Sequence, residues 1–336
     1  MKSDAFVSII MPCRNEEKYI KACLDSVVAN DYPKDKLEIL VVDGMSNDGT
    51  RRVVEECCEQ YTFVHLFDNP EKITPFALNI GVRKSKGDVI IRMDAHAEYP
   101  SNFISKAMNV LDKTGADVVG GPILTLPSVD TLIARAIALI TSHPFGVGDS
   151  KFRTSAKEGY VDTVPFGAYR REVFDRIGVF DECLLRNQDN EFHSRLIKAG
   201  GRIYLTPKLT ARYYNQSTIS GLAKQAFKTG MWNVLTLKVN PVAFRLRHFT
   251  PFVFVTAIMV SLISSLFLSG FTAIFLSISG SYGAAAIYSS LQLSRKNGLI
   301  YMFILPGIFF LYHVSYGFGT WAGLFKAVMP AKVSKI

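Results

Sequence analysis

Three long stretches without a charged side chain fill most of the chain after His248 and limit what it can fold into. They cover residues 249–268, 271–293 and 298–324. About 20 apolar residues in a helix are enough to cross the hydrocarbon core of a bilayer. A soluble fold that buried three such segments would need more polypeptide around them than the chain has left. The sequence therefore predicts a membrane domain over 246–336, with two or three hydrophobic segments.

Basic residues flank the first two stretches and indicate their orientation. Arg245, Arg247 and His248 precede the first stretch, and Arg295 and Lys296 follow the second. Loops rich in lysine and arginine stay on the cytoplasmic side of a membrane. We therefore expect the first two stretches to form a hairpin in the cytoplasmic (inner) membrane. The part of the chain before them would then lie in the cytoplasm.

Two paths are open to the third stretch. Pro306 interrupts it, and it contains His313, for which a hydrogen bond between helices is the expected role. A full crossing would place Lys326, Lys332 and Lys335 outside the cell, against the positive-inside rule. The segment is therefore either re-entrant or an exception to the rule, and the sequence leaves both open.

Patterns typical of strands and helices alternate through the first 125 residues. Strand-like apolar runs occur at Phe6–Met11, Leu37–Asp43, Phe63–Phe67, Val89–Ile91 and Val118–Gly121. Helical periodicity occurs at Ile20–Val27, Thr50–Gln60, Thr74–Lys84 and Asn102–Lys113. This alternation predicts an α/β fold with a mostly parallel, Rossmann-like sheet and right-handed crossovers. The glycine fingerprints of dinucleotide and P-loop sites are absent from the sequence.

Two polar side chains follow the strand-like run Val89–Ile91. Asp94 and His96 alternate there, so both can point to the same face. In open α/β sheets, ligands bind at the carboxyl ends of the strands. A carboxylate and an imidazole can hold a divalent cation, which would neutralise a diphosphate. The alternative explanation is a strand that ends in ordinary polar loop residues.

The middle of the chain is more irregular. Ser128–Ser142 has the pattern of an amphipathic helix, for which packing in a core is favoured over membrane contact. A further helix is expected from about Asn187 to Ala199. Its first turn contains Asp189 and Glu191, where carboxylates stabilise the positive end of the helix dipole.

Six motifs, taken in their order along the chain, resemble glycosyltransferase family 2, whose members have the GT-A fold. The most similar branch is that of membrane-tethered bacterial enzymes that build exopolysaccharide repeat units of the succinoglycan type. The motifs are Pro12-Cys13-Arg14-Asn15-Glu16-Glu17, Val42-Asp43-Gly44-Met45-Ser46-Asn47-Asp48-Gly49-Thr50, Asp94-Ala95-His96, Gly167-Ala168-Tyr169-Arg170-Arg171, Asn187-Gln188-Asp189-Asn190-Glu191 and Gln225-Ala226-Phe227-Lys228-Thr229-Gly230-Met231-Trp232.

The resemblance implies roles for several residues in the donor half of the chain. Donor binding would fall to Pro12, Arg14, Glu16, Asp43 and Asp94, and metal binding to Asp94 and His96. The family usually has a second aspartate where this chain has His96. Imidazole favours Mn²⁺ over Mg²⁺ when compared with a carboxylate, so the divalent cofactor is either of the two.

The same resemblance assigns the acceptor side. Asp189 corresponds to the catalytic base, which would take the proton of the attacking hydroxyl in a direct, inverting displacement. Glu191 is the reserve candidate for this base. Acceptor binding would fall to Arg170, Arg171, Gln188, Glu191 and Trp232.

A motif of the processive members is incomplete in this chain. Gln225 is present, but Lys228 and Thr229 occupy the arginine and tryptophan positions, and Trp232 is displaced. The departure predicts transfer of one sugar rather than processive synthesis.

The expectation from the whole sequence is a membrane-bound glycosyltransferase. Its catalytic domain would cover 1–245, with a donor half to about 125 and an acceptor half after it. The donor would be a nucleoside-diphosphate sugar, with a UDP-sugar favoured, and the acceptor polyprenyl-linked. Alternatives are a polyprenyl-phosphate sugar synthase and a non-catalytic scaffold that binds sugar nucleotides. The net charge of +9 suits an anionic membrane, and the apolar stretches argue against a nucleic-acid partner.

Overall fold

A computed structural model describes residues 5–154, 157–244 and 246–328. The strands are β1 (Val7–Cys13), β2 (Leu37–Asp43), β3 (Val64–Asp68), β4 (Val89–Arg92), β5 (Ala97–Glu98), β6 (Val118–Gly120), β7 (Ile123–Pro127), β8 (Gly159–Val161), β9 (Ala168–Arg170), β10 (Ile203–Leu205) and β11 (Ala211–Asn215). The α-helices are α1 (Ile20–Val28), α2 (Thr50–Gln60), α3 (Thr74–Lys84), α4 (Phe103–Thr114), α5 (Leu132–Ile140), α6 (Pro144–Val147), α7 (Lys151–Thr154), α8 (Arg171–Ile177), α9 (Gln188–Lys198), α10 (Ile219–Val239), α11 (Thr250–Ser265), α12 (Ser269–Asn297) and α13 (Ile300–Val328).

The chain divides into two compact units, each built from two segments. The first unit covers Met1–Leu124 and Ser155–Tyr214, and the second covers Thr125–Thr154 and Asn215–Ile336. This division differs from the predicted boundary at residue 245. The reason is that α5 and α10 pack with the C-terminal helix α13, which places them in the second unit.

An eight-stranded sheet forms the centre of the first unit, in the order β3-β2-β1-β4-β9-β6-β10-β8. β1 pairs in parallel with β2 and β4, β2 with β3, and β6 with β10. β9 runs antiparallel between β4 and β6, and β8 is antiparallel to β10. Every residue of β2 and β4 is buried, as expected for strands that are covered on both faces. The predicted α/β fold with a mostly parallel sheet is confirmed.

A second, three-stranded sheet has the order β5-β11-β7. β5 comes directly after the polar segment that follows β4. It pairs antiparallel with β11, with Arg212 opposite Glu98 and Tyr213 opposite Ala97. The segment between β4 and β5 is therefore anchored to a strand at each end, and this segment contains Asp94 and His96.

A core of apolar side chains holds the second unit together. α5 contributes Ala136, Ile137 and Ile140, and α10 contributes Leu222. α13 completes the cluster with Tyr301, Leu305, Ile308 and Phe309. The prediction that the amphipathic segment 128–142 packs in a core is therefore confirmed, although the helix itself is shorter.

Glycines allow the backbones of α10 and α13 to approach each other closely. A Cβ atom on Gly230 would lie 2.1 Å from the Tyr316 carbonyl oxygen, and one on Gly319 would lie 2.0 Å from that of Phe227. Next to this crossing, the Asn233 side-chain amide donates a hydrogen bond to the Tyr316 hydroxyl. Any side chain larger than hydrogen at these two glycines would force the helices apart.

α13 differs from its predicted form in one respect. The sequence indicates an interruption at Pro306, but the helix continues through this residue from Ile300 to Val328. A proline removes one backbone donor, and helices in apolar surroundings tolerate this loss when neighbouring groups compensate. The role expected of His313 is confirmed, because its Nδ1 lies 2.9 Å from the Tyr282 hydroxyl of α12 and its Nε2 3.4 Å from the Gly146 carbonyl oxygen.

Among the helices of the described residues, α12 and α13 are long and apolar enough to cross a bilayer by length and composition. α11 has 16 residues and spans about 24 Å at 1.5 Å per residue, so it is shorter than the predicted first crossing. Only 6% of the most apolar part of α12 is buried, against 39% for α13. The basic residues Arg245, Lys332 and Lys335, together with the side chain of Arg247, lie outside the described part of the chain.

Candidate active site

The candidate site lies at the end of β4, where polar residues follow a buried strand. Val89, Ile90 and Ile91 are fully buried, and Arg92 follows them into the interior with 8% of its surface exposed. The backbone then turns, and the Asp94 amide donates a 2.8 Å hydrogen bond to the buried Tyr99 hydroxyl. This bond fixes the turn that presents the Asp94 carboxylate.

One guanidinium group connects two carboxylates that are far apart in the sequence. Arg92 Nε donates to Asp94 Oδ1 at 3.0 Å, and Arg92 Nη1 donates to the Asp189 carboxylate. Burial opposes the charge of Arg92, but Asp189 and Asp94 outweigh it and raise the pKa of Arg92. The ion pair therefore holds the first turn of α9 against the end of β4.

His96 is held by a residue from the loop after β1. Its Nδ1 lies 3.0 Å from Glu16 Oε1, and its ring contacts that of Tyr213 edge-on, with centroids 5.5 Å apart. Burial lowers the pKa of His96, but the Glu16 hydrogen bond and the nearby Asp94 charge together raise it above its ordinary value. Glu16 thus fixes one ring nitrogen, which leaves Nε2 as the atom that could bind a metal.

The donor atoms near Asp94 fit an open metal site rather than a closed one. Within residues 5–154, 157–244 and 246–328, there is no group of three or more His, Cys, Asp or Glu side chains that could hold an ion. Asp94 and His96 would supply two ligands. Mg²⁺ is commonly bound in this way, by one or two protein groups that are completed by substrate phosphates and water.

The loops after β1 and β2 are joined by a hydrogen-bonded network that includes Asp43. Its carboxylate is fully buried and accepts hydrogen bonds from the amide and hydroxyl of Ser46. The Ser46 hydroxyl oxygen also accepts from the Asn15 amide, and the Asn15 side chain accepts from the Asn47 amide. A nucleotide base would therefore have to share Asp43 with Ser46.

The other two donor-side candidates occupy the same edge of the sheet. Pro12 lies in β1 opposite Val42. Arg14 packs its aliphatic stem over Gly44, where an added Cβ would come within 3.1 Å, and donates a long bond of 3.5 Å to the Lys72 carbonyl. Glycine at position 44 thus makes room for the arginine.

α9 presents Asp189 at its start and buries its other acidic residue. Asn187 precedes the helix in the left-handed region with φ 64°, and Gln188 follows it buried. Glu191 is also buried and accepts two hydrogen bonds from Arg195, at 2.7 and 2.9 Å. The Glu191 carboxylate is thus paired within α9, whereas the Asp189 side chain is 27% exposed.

A buried, neutral histidine on α9 bonds this helix to two neighbouring hydroxyl groups. His193 is fully buried, with Nδ1 2.8 Å from the Thr163 hydroxyl and Nε2 3.0 Å from that of Tyr169. Desolvation lowers the pKa of His193 to about 4, so the ring is uncharged near neutral pH. Because His193 lies one turn after Asp189 on the same helix, this network fixes the helix that carries the candidate base.

Comparison with known proteins shows which family the chain belongs to. The family described as "Glycosyl transferase family 2" matches residues 8–178, about half of the chain. Among curated proteins, the succinoglycan biosynthesis protein ExoA of Rhizobium meliloti (strain 1021) is 30% identical over 266 residues, covering 73% of this chain and 79% of ExoA. The chain belongs to glycosyltransferase family 2.

Two further similarities extend over nearly the whole chain. A dolichyl N-acetyl-alpha-D-glucosaminyl phosphate 3-beta-D-2,3-diacetamido-2,3-dideoxy-beta-D-glucuronosyltransferase of Methanococcus voltae is 29% identical over 330 residues, or 96% of this chain and 98% of that protein. The mannosyltransferase PcManGT from Pyrobaculum calidifontis, solved with GDP-Man and Mn²⁺, aligns with a TM-score of 0.58 at 18% identity, covering 93% of this chain and 87% of PcManGT. This structural likeness supports the GT-A fold of this family 2 glycosyltransferase.

Three of the acceptor residues predicted for this family 2 member, Arg170, Arg171 and Trp232, have these places in the structure. Arg170 donates to the carbonyls of Leu111 and Ala116, at 2.7 and 3.0 Å. Arg171 donates to the carbonyls of Ser85 and Gly87. Both guanidiniums thus tie strands and loops together, and their role in acceptor binding stays a prediction. Trp232 lies on α10, in the second unit.

The sequence patterns did not single out Arg92, although it joins both halves of the site. A signal was present, since Arg92 is the charged residue at the end of an otherwise apolar, buried strand. Buried arginines are almost always paired, so such a residue predicts carboxylate partners nearby. What the sequence did not show was that one of these partners, Asp189, is 97 positions away.

Proposed function

We propose that this chain is a membrane-bound, inverting glycosyltransferase that moves one sugar from a nucleoside-diphosphate donor to a lipid-linked acceptor. The observation that carries the proposal is the ion-pair cluster of Arg92. It gathers the carboxylate expected beside the donor diphosphate, Asp94, and the carboxylate expected to be the base, Asp189. The two groups that such a reaction needs are therefore joined by one side chain.

In the proposed reaction, an acceptor hydroxyl oxygen attacks the anomeric carbon of the donor sugar. The new glycosidic bond forms as the bond to the diphosphate oxygen breaks, and the electron pair of that bond leaves with the nucleoside diphosphate. Asp189 takes the hydroxyl proton, because it is a partly exposed carboxylate at the start of α9. With one base and no second nucleophile assigned, the displacement is direct and inverts the anomeric carbon.

A divalent cation fits this proposal. Asp94 and His96 would hold it, and when bound it would neutralise the charge that develops on the leaving diphosphate. The Mn²⁺ and GDP-Man bound to PcManGT support a metal and a nucleotide sugar. The names of the Methanococcus voltae and Rhizobium meliloti relatives support a lipid-linked acceptor and polysaccharide synthesis.

The decisive experiment is a donor screen on the full-length protein in detergent. UDP-sugars and GDP-sugars are offered with Mn²⁺ or Mg²⁺ and a membrane lipid extract, and released nucleoside diphosphate is measured. We expect one donor class to be turned over, with a UDP-sugar favoured, and EDTA to abolish the release. Binding without turnover under every condition would contradict the proposal and favour a scaffold. A sugar joined directly to lipid phosphate would identify a polyprenyl-phosphate sugar synthase instead.

We also propose that residues 1–245 lie in the cytoplasm, with α11 and α12 forming a hairpin in the cytoplasmic membrane. Arg295 and Lys296 at the end of α12 support this orientation. A cysteine placed at Ser269 should then react with a membrane-impermeant reagent added from outside intact cells, while one placed at Asn297 should not. Reaction of both, or of the second alone, would overturn the hairpin.

A further inference from the structure

The arginines of the first unit divide into two groups by their partners. Among the residues that the structure describes, eleven of the twelve have a carbonyl, carboxylate or ring partner for the guanidinium, and Arg186 has none. The partnered ones are Arg14, Arg51, Arg52, Arg83, Arg92, Arg170, Arg171, Arg176, Arg195, Arg202 and Arg212. Among the described arginines of this unit, Arg186 is therefore the one whose guanidinium remains available to a ligand.

Arg186 is not a freely solvated surface residue. Its side chain is partly buried, and desolvation lowers the pKa of the guanidinium, with the Tyr213 hydroxyl acting in the opposite direction. A guanidinium stays charged under all ordinary conditions, so the charge remains in place. Withdrawing a charge from water without a partner costs free energy, and this cost is recovered when a counter-ion binds.

The position of Arg186 relates it to both sides of the candidate site. Along the chain it lies three residues before Asp189, and Asn187 turns the backbone between them with φ 64°. The Tyr213 hydroxyl raises the pKa of Arg186, and the Tyr213 ring contacts that of His96. Arg186 is therefore associated with the candidate base on one side and with the candidate metal ligand on the other.

The ligand expected here is a phosphate group. The guanidinium presents planar, paired donors that match two oxygens of a phosphate, and it is less strongly hydrated than an ammonium group. Arg92, a buried cation of the site, is already used by Asp94 and Asp189, and Arg14 at the same edge of the sheet donates to the Lys72 carbonyl. The negative charge of a diphosphate therefore has in Arg186 a protein partner that is not already used.

We propose that Arg186 is a phosphate-binding residue that contacts the diphosphate of a ligand in this site. The inference rests on the proposed function for the nature of the ligand. Two sources share the required chemistry, namely the diphosphate of the sugar-nucleotide donor and that of a lipid-linked acceptor. Binding measurements separate them, since each source has a simple analogue.

The test compares R186Q with R52Q in the full-length protein. The control removes the same charge from an exposed i,i+4 pair with Glu56 on α2. Each variant is titrated with UDP and GDP in the presence of Mn²⁺, with uridine and guanosine, and with farnesyl diphosphate. R186K is included because it keeps the charge but loses the paired donors. Melting temperatures establish that the variants are folded.

We expect R186Q to bind at least one diphosphate about tenfold or more weakly than R52Q does, the scale of losing a charged hydrogen bond. R186K should be intermediate, and the affinity for uridine and guanosine should not change. A loss confined to UDP and GDP assigns Arg186 to the donor, and one confined to farnesyl diphosphate assigns it to the acceptor. Loss of both types also supports the proposal.

Two results would overturn it. In the first, R186Q binds every diphosphate as tightly as R52Q does. In the second, the affinity of R186Q for nucleosides falls together with its affinity for diphosphates, which would indicate a structural role. The outcome is separable from the proposed function, because binding is measured without turnover. A wild-type protein that binds diphosphates through Arg186 but transfers no sugar would refute only the proposed function. Transfer by the wild type with normal binding in R186Q would refute only this inference.

Discussion

At the scale of single residues, the two acidic residues at the start of α9 have different environments. Asp189 is partly exposed and bonded to Arg92, whereas Glu191 is buried and bonded twice to Arg195. A base must reach an acceptor hydroxyl that arrives from solvent, so exposure favours Asp189. The Glu191 carboxylate, by contrast, neutralises an arginine that also donates to the Val179 carbonyl.

We expect D189N to lower turnover by about 100-fold or more, because an amide of the same shape cannot take the proton. Nucleoside-diphosphate affinity and melting temperature should stay close to those of the wild type, since the asparagine oxygen can still accept a hydrogen bond from Arg92, which also keeps Asp94 as a partner. The matched variant is E191Q. It should lower the melting temperature, while its turnover at a temperature where it stays folded should remain close to that of the wild type. Near-full turnover in D189N with loss in E191Q would show that the assignment is reversed.

A second residue-scale prediction concerns pH. His193 has a pKa of about 4 in the folded protein, whereas an unperturbed histidine has a pKa of about 6.5. Between these values the unfolded chain binds a proton that the folded chain does not. The free energy of unfolding should therefore fall as the pH drops from about 6.5 towards 4, by up to about 3 kcal/mol from this residue.

The measurement is the melting temperature of the wild type and of H193Q between pH 7 and pH 4.5. Glutamine can keep one hydrogen bond to Thr163 or Tyr169 but does not titrate, so its melting temperature should depend less on pH. Parallel curves for the two proteins would mean that His193 does not contribute to the acid sensitivity.

At the scale of elements, the sequence predicts best what depends on local pattern. β2, α2 and α3 have the predicted bounds, because seven to eleven residues are enough to show an apolar run or a helical period. β9 was not predicted, since three residues carry little pattern and its place between β4 and β6 depends on distant partners. The same holds for the site. Motifs in the sequence identify Asp94, His96 and Asp189 as candidates, whereas the bonds that Arg92 makes to Asp94 and Asp189 depend on the tertiary structure.

α10 gives the element-scale prediction. G230A should lower the melting temperature, because a methyl group would fall 2.1 Å from the Tyr316 carbonyl oxygen and over-packing costs about 1–3 kcal/mol. G283A on α12 is the control, since nothing lies within 4 Å of an added Cβ there. That variant should be neutral or slightly stabilising, as alanine favours helix more than glycine does. Equal melting temperatures for the two variants would contradict the close crossing of α10 and α13.

At the scale of the whole molecule, the C-terminal helix completes a core that begins near residue 132. A protein that ends at Phe244 would keep α5 and α10 but lose Tyr301, Leu305 and Phe309, which pack against them. We expect this shortened protein to aggregate in size-exclusion chromatography, whereas the full chain in detergent should elute as a single species. A soluble shortened protein that melts cooperatively would show that the second unit does not need α13.

The same arrangement sets an order of events during synthesis. Ile137 leaves the ribosome more than 160 residues before Tyr301, its partner in the core of the second unit. At roughly 5–20 residues per second, the apolar face of α5 waits on the order of 10–30 s for its partner. During that interval a chaperone or the membrane surface has to cover it. Translation of the last helix is thus the step that ends the exposure of a segment made in the first half of the chain.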